Sequence, residues 1–309
     1  MKLAAIKQNL YSVYMREGKA SSTAQYMAFF RALETQQPET QRLFDDPYAL
    51  ILLPGSLRAF ARLARLPVVG NLVLGVLELG WPYTRSSGVV RTRAIDDLVE
   101  EAIESGAGQL VLLGAGFDTR GHRLERATKI PVFEVDHPAT QQAKRQRLKL
   151  CVDPVPANIS YVPVDFEQNS LDARLLEKGY DPKVPAVVVW EGVISYLTES
   201  AVRRTLSTLA GLLPPASCLV FTYVHIGVLD GSSAFPGARR WRSWVSFSGE
   251  PFIFGFDPVR LAETLKDFGF GLQSDQSTEE IARQYCAPLG RREPGSEAYR
   301  VATAIRVTD

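Results

Sequence analysis

The chain predicts a doubly wound α/β fold, a mostly parallel sheet preceded by an N-terminal helical region. Three observations carry the α/β pattern. From Gln109 onward, short runs that are apolar on both faces recur, as in Gln109-Leu-Val-Leu-Leu113 and Ala186-Val-Val-Val-Trp190. Such runs suit a parallel sheet covered by helices on each side. Helical segments separate them, which implies right-handed βαβ units in an open sheet. The first four runs all end in glycine or a carboxylate: Gly114, Asp136, Asp165 and Glu191.

Up to about Ser105 the sequence reads as helical, and residues 1–105 are expected to form the cap. Ala24 to Glu34 places apolar residues at helical spacing, and Asp45-Asp46-Pro47 supplies a cap and a first-turn proline. Leu66 to Trp81 is the most apolar stretch, but Pro67, Asn71 and Glu78 interrupt it. It is too short to span a bilayer and reads as a buried or cap-forming helix, beside an apolar ligand. Arg91 to Glu104 is a further amphipathic helix.

Residues 106–309 are expected to hold the sheet. Strands are predicted over Gln109–Leu113, Ile130–Asp136, Ile159–Asp165, Ala186–Trp190, Cys218–Val224 and Tyr299–Val307, with a helix from Thr198 to Leu213. Between Gly227 and Gly255 the chain turns rich in Gly, Ser and aromatics, a length uncommon without a role. A lid or binding loop is expected there, about 227–256, with Phe235, Trp241, Trp244, Phe247, Phe252, Phe254 and Phe256 shaping an acceptor pocket or forming the core of a subdomain. Asp257-Pro258 then starts a helix to about Phe268.

Composition narrows the function classes. With 309 residues, 46% hydrophobic and 22% charged, the chain is an ordinary globular protein. Its net charge of +1 offers no field for nucleic acid or an anionic membrane, so neither is an expected partner. Cys151, Cys218 and Cys286 are far apart without CxxC or histidine spacing, so no disulfide framework and no metal site are expected. Met1 to Gly18 lacks the apolar run of a secretory signal, which makes the cytoplasm the expected location. The basic run Lys144, Arg145, Arg147 and Lys149 reads as the wet face of a helix.

Ligands of open parallel sheets bind outside the carboxyl ends of the strands, where this chain gathers its glycines and acids. Gly114 and Gly116, around Ala115, let backbone approach a ligand closely. Asp136, 22 positions beyond Gly114, is placed to accept from ribose hydroxyls. Asp165 can accept from an adenine amino group with Phe166 at the ring edge, and Glu191 can take an ammonium. These acids tolerate a cationic sulfonium and would repel a pyrophosphate. Thr119 stands where a dinucleotide fingerprint needs its third glycine, which disfavours a nicotinamide reductase. Plainer roles stay open: Asp136 and Asp165 as helix caps, Glu191 in an ion pair with Arg91 or Arg93, Asp118 in a turn, and His122 and His137 as packing or surface residues.

Longer motifs add a resemblance. Arg91-Thr-Arg93, Leu113-Gly-Ala-Gly-Phe-Asp-Thr-Arg120, Phe133-Glu-Val-Asp136-His-Pro138, Val162-Pro-Val-Asp165, Trp190-Glu-Gly-Val-Ile-Ser-Tyr-Leu197 and Phe254-Gly-Phe-Asp-Pro258 resemble the leucine carboxyl methyltransferase family, in its bacterial small-molecule branch. The resemblance implies a seven-strand methyltransferase sheet and the cofactor S-adenosylmethionine. It places the methionine carboxylate on Arg91, the amino-acid backbone on Gly114, the ribose on Asp136, the adenine on Asp165 and Phe166, and the ammonium near Glu191. Protein-modifying relatives carry a lysine where Ser21-Ser22-Thr23 stands here, which favours a small-molecule acceptor.

The expected chemistry is methyl transfer to a carboxylate or hydroxyl of a small aromatic or polyketide-like metabolite. A carboxylate is ionised at pH 7 and needs no base. A hydroxyl needs one, and His225, just past the fifth strand, is the candidate, with Tyr196 and Tyr223 to orient the acceptor. A protein C-terminal carboxyl methyltransferase and a non-catalytic adenosyl-ligand binder are the alternatives. Nothing in the sequence sets an oligomeric state.

Overall fold

The computed structural model describes residues 21–80, 83–152, 154–164, 170–237 and 251–307. Among them, α1 (Ser22–Thr35), α2 (Gly55–Leu63), α3 (Pro67–Gly80) and α4 (Thr84–Glu104) precede the first strand. Ser21 starts α1 by accepting the Ala24 N–H on its hydroxyl at 3.2 Å, satisfying a donor the first turn leaves open. Asp45-Asp46-Pro47 opens a series of turns rather than a helix. Asp46 does cap, with Oδ1 accepting from the Tyr48 and Ala49 N–H groups at 3.1 Å each.

Helix α4 begins at Thr84, two turns before the expected Arg91. Arg85, Ser86, Ser87 and Thr92 are buried along with Val89 and Val90, so its first half carries no amphipathic stripe to read. Its polar groups are answered inside the fold: Ser87 shares a 2.9 Å hydrogen bond with Thr278, and Arg85 pairs with Glu293. Helix α3 buries Val73 and Leu77 but leaves Val68, Leu72 and Val76 exposed, so it covers the core with one face only.

The sheet has seven strands: β1 (Gln109–Leu113), β2 (Val132–Asp136), β3 (Ile159–Pro163), β4 (Ala186–Trp190), β5 (Cys218–Val224), β6 (Phe270–Ser277) and β7 (Tyr299–Arg306). Their order is β3-β2-β1-β4-β5-β7-β6. The first five run parallel, and β7 is antiparallel to both β5 and β6. The order reverses between β1 and β4, the switch point where a crevice opens at the strand tips. The residue patterns named above yield six of these strands. The seventh, Phe270-Gly-Leu-Gln-Ser-Asp-Gln-Ser277, is an edge strand with a polar sequence, paired only with β7 and irregular between Leu272 and Ser274.

Residues alternate between two cores, as pleating requires. Leu110, Leu112, Val187, Val189 and Val220 face the layer built with α1 and α4. Val111, Leu113, Val188, Trp190, Phe221 and Tyr223 face the other layer, with α7 (Leu171–Glu177), α8 (Glu199–Leu212) and α10 (Pro258–Lys266). The remaining helices are α5 (Arg120–Arg123), α6 (Pro138–Leu148), α9 (Gly227–Asp230) and α11 (Thr278–Cys286). Among the described residues, no helix is long and apolar enough to cross a membrane.

Candidate active site

The tip of β1 bends through Gly114 and Gly116, whose φ angles of +68° and +48° favour glycine. The Gly114 and Ala115 N–H groups donate to the Val135 carbonyl at 2.8 and 2.9 Å, anchoring the bend to β2. Asp136, at the tip of β2, accepts the Gly116 N–H on Oδ2 and the His137 N–H, at 2.6 Å, on Oδ1. It thus braces the glycine bend, while the His137 side chain caps α6. Each carboxylate oxygen keeps acceptor capacity beyond these bonds. Burial raises the Asp136 pKa above its ordinary value, against the two backbone donors that lower it.

Glu191, at the tip of β4, lies between two arginines. Its Oε1 accepts from Arg91 Nε at 2.8 Å and its Oε2 from Arg120 Nη1 at 2.7 Å. Burial opposes ionisation, but the Arg120 and Arg91 guanidiniums outweigh it and hold the carboxyl below its ordinary range. The ion pair with Arg91 anticipated for Glu191 is therefore present. Arg91 also directs Nη2 at the Met27 sulfur (2.9 Å) and lies over the Tyr299 ring at 4.7 Å. A thioether is a weak acceptor, so that N–H is available to a better one.

A buried ionic chain extends from this pair. Arg120 donates to Asp96 at 2.7 Å and to Asp118 at 2.5 Å, Arg123 shares Asp96 at 2.7 Å, and Arg31 pairs with Asp46 at 2.8 Å. Asp118 also accepts the Arg120 N–H at 2.7 Å, the turn role expected of it. Lys144 corrects the wet-face reading: it is fully buried, pairing with Glu134 at 2.6 Å and donating to the Asp118 carbonyl beneath the glycine bend. Arg147 is half-buried over the Phe117 ring at 4.9 Å, while Arg145 and Lys149 are exposed. His122 is buried, neither ring nitrogen has a hydrogen-bond partner among the described residues, and burial lowers its pKa to about 4.

Asp165 and Phe166 lie outside the described residues, as do Trp241, Trp244 and Phe247. The described ends of the 227–256 segment return to the strand tips. The Ile253 N–H donates to the Ser195 carbonyl at 2.8 Å, and the Ile226 N–H to the Phe256 carbonyl at 2.9 Å. Phe254 and Phe256 pack edge-on against each other at 5.0 Å, with Phe256 buried in the core and Phe254 partly buried against it. Phe235 packs on His225 at 5.0 Å and Phe252 on Tyr196 at 5.4 Å.

The three acceptor-side residues fare differently. Tyr196 is half-buried, close enough to Arg91 to favour its charge. His225 accepts the Gly227 N–H on Nδ1 at 2.9 Å, so its neutral ring carries the proton on Nε2 and presents a donor there. Tyr223 needs a correction. It is buried on the opposite sheet face from Thr222, and its hydroxyl donates to Asp275 at 2.8 Å. On the Arg91 side stands Tyr299, whose hydroxyl meets Thr222 at 3.1 Å. No sequence signal marks Tyr299, whereas Arg120 closes the Leu113–Arg120 glycine motif.

The sheet order, with its reversal between β1 and β4 and its antiparallel β7, places this chain in the class of doubly wound α/β folds. A crystal structure of a putative methyltransferase from Thermobifida fusca superposes with a TM-score of 0.59 at 18% identity, covering 95% of this chain and 97% of that one. The family model for leucine carboxyl methyltransferase matches residues 24–210, and the chain belongs to that family. A putative S-adenosyl-L-methionine-dependent methyltransferase of Frankia alni is 35% identical over 215 residues, 69% of this chain and 72% of the relative. Another, from Streptomyces avermitilis, is 33% identical over 276 residues, 87% of this chain and 88% of the relative. The protein is an S-adenosylmethionine-dependent methyltransferase.

Proposed function

We propose that the enzyme methylates an oxygen, a carboxylate or hydroxyl, of a small aromatic or polyketide-like metabolite. In this reading residues 1–105 are a cap and the segment near 227–256 a lid over one cofactor-binding domain. The observation that carries it is the row of polar groups at the tips of β1, β2 and β4, together with the His225, Tyr196, Phe235 and Phe252 cluster beyond it.

The donor set suits the cofactor. Asp136 keeps acceptor capacity for ribose hydroxyls, Arg91 directs an N–H that among the described residues meets a thioether, and Gly114, Ala115 and Gly116 bring backbone to the ligand. Glu191, held ionised, takes the ammonium, and Asp165 with Phe166 the adenine. When bound, S-adenosylmethionine supplies a methyl group already activated on sulfonium sulfur. The protein's work is then to align the acceptor oxygen and exclude water.

A carboxylate acceptor accords best with His225, because its Nδ1 lone pair is engaged by Gly227 and is not free to take a proton. His225 Nε2–H and the Tyr196 hydroxyl would then orient the acceptor by donating to it. The family description keeps a chain-terminal carboxylate as a second reading. A labelled-methyl assay separates these. Purified enzyme is incubated with labelled cofactor and either the small-molecule or the protein fraction of a bacterial lysate. Label in the small-molecule fraction, released as methanol by mild base, is expected. A labelled protein band would support the second reading, and no transfer to either fraction would favour a non-catalytic binder.

A further inference from the structure

Arg120 is among the most buried charged side chains in the described fold, 2% exposed. Three acids from three elements converge on it: Asp96 of α4 on Nε at 2.7 Å, and Asp118 of the glycine bend and Glu191 of β4 on Nη1 at 2.5 and 2.7 Å. A guanidinium is a planar fork of fixed donors, so it sets the acids' positions as well as their charge. Glu191 in turn grips Arg91 Nε with its other oxygen. With Nε held there, the Arg91 fork is turned so that Nη2 projects toward Met27.

We propose that Arg120 is a positioning residue for the amino-acid end of the cofactor: through Glu191 it holds one ionised acceptor for the ammonium and orients Arg91 for the carboxylate. The proposal rests on the reading that Arg91 and Glu191 grip that end. Among the described residues Arg120 makes no hydrogen bond to the glycines or to Asp136 and reaches the glycine bend only through Asp118, so the nucleoside end should depend on it less. Without Arg120, Glu191 would have one guanidinium instead of two opposing its burial, and Asp118 would lose its closest cation.

Two ligands separate these ends. S-adenosylhomocysteine carries the amino-acid arm, whereas 5′-methylthioadenosine keeps the nucleoside and lacks the arm. Calorimetry with wild type, Arg120→Lys and Arg120→Gln gives the affinity ratio of the two. The wild type is expected to prefer S-adenosylhomocysteine. Both variants should lose about tenfold or more in that affinity while methylthioadenosine changes by less than about threefold. Arg120→Lys keeps the charge and decides the matter if Arg120→Gln does not fold. Equal losses for both ligands, or an unchanged ratio in Arg120→Lys, would overturn the proposal. A wild type that does not discriminate would instead remove the reading of Arg91 and Glu191.

Discussion

Gly114 and Val193 lie so close that a methyl group on the glycine would sit 2.3 Å from Val193 Cγ2. The glycine at the tip of β1 therefore does two things: it adopts a left-handed turn and lets the loop after β4 close against it. Gly114→Ala is expected to cost about 2–4 kcal/mol, from the backbone conformation and the overlap together. Adding Val193→Ala should recover part of this loss, because it relieves the overlap and not the turn. Urea denaturation of the single and double variants checks it; a single variant within about 0.5 kcal/mol of wild type would refute the close-approach account.

His122 should make stability depend on pH. Its folded pKa is about 4 against an ordinary 6.5, because burial disfavours the charged ring. Between those values the unfolded chain binds a proton that the folded chain refuses, so stability falls as pH falls from 6.5 to 4. The contribution is at most about 3 kcal/mol. Denaturation at several pH values should show a shallower slope over this window in His122→Phe than in wild type.

Tyr223→Phe removes the donor to Asp275 while the Arg300–Asp275 pair at 3.0 Å remains. A loss of about 1–2 kcal/mol in stability is expected, with cofactor affinity and turnover within about twofold of wild type. A turnover loss of a hundredfold would put Tyr223 back beside the acceptor.

His225→Asn preserves an acceptor near the Gly227 N–H and removes the imidazole. With a carboxylate acceptor, kcat should fall less than about tenfold. Loss of general-base catalysis typically costs about 10²–10⁴-fold. A fall in that range, with one limb of the pH–rate profile gone, would point to a hydroxyl acceptor and a base role.

Much of the fold was legible because parallel strands buried on both faces leave uninterrupted apolar runs, and their tips leave glycine and acids in register. β6 was not legible as a strand, since an edge pairing asks little of Gln273, Ser274 or Asp275 in hydrophobicity. Lys144 read as solvated because a lysine's burial depends on a partner distant in pattern, Glu134, which sat unremarked inside an apolar strand. Tyr223 was misdirected for a simple reason: neighbouring residues on a strand point to opposite faces, and Thr222 holds the inward one. The Glu191–Arg91 pair was anticipated, whereas the third member, Arg120, needed coordinates, because its place just after the glycine bend does not show that its guanidinium turns onto Glu191.

The account turns on whether a nucleoside is held at the tip of β2. Calorimetric titration of S-adenosylhomocysteine into wild type and Asp136→Ala, with circular dichroism to confirm that both are folded, tests it most directly. One saturable site is expected in the wild type, with affinity at least about tenfold weaker in the variant. A folded Asp136→Ala protein that binds as tightly as wild type would contradict it.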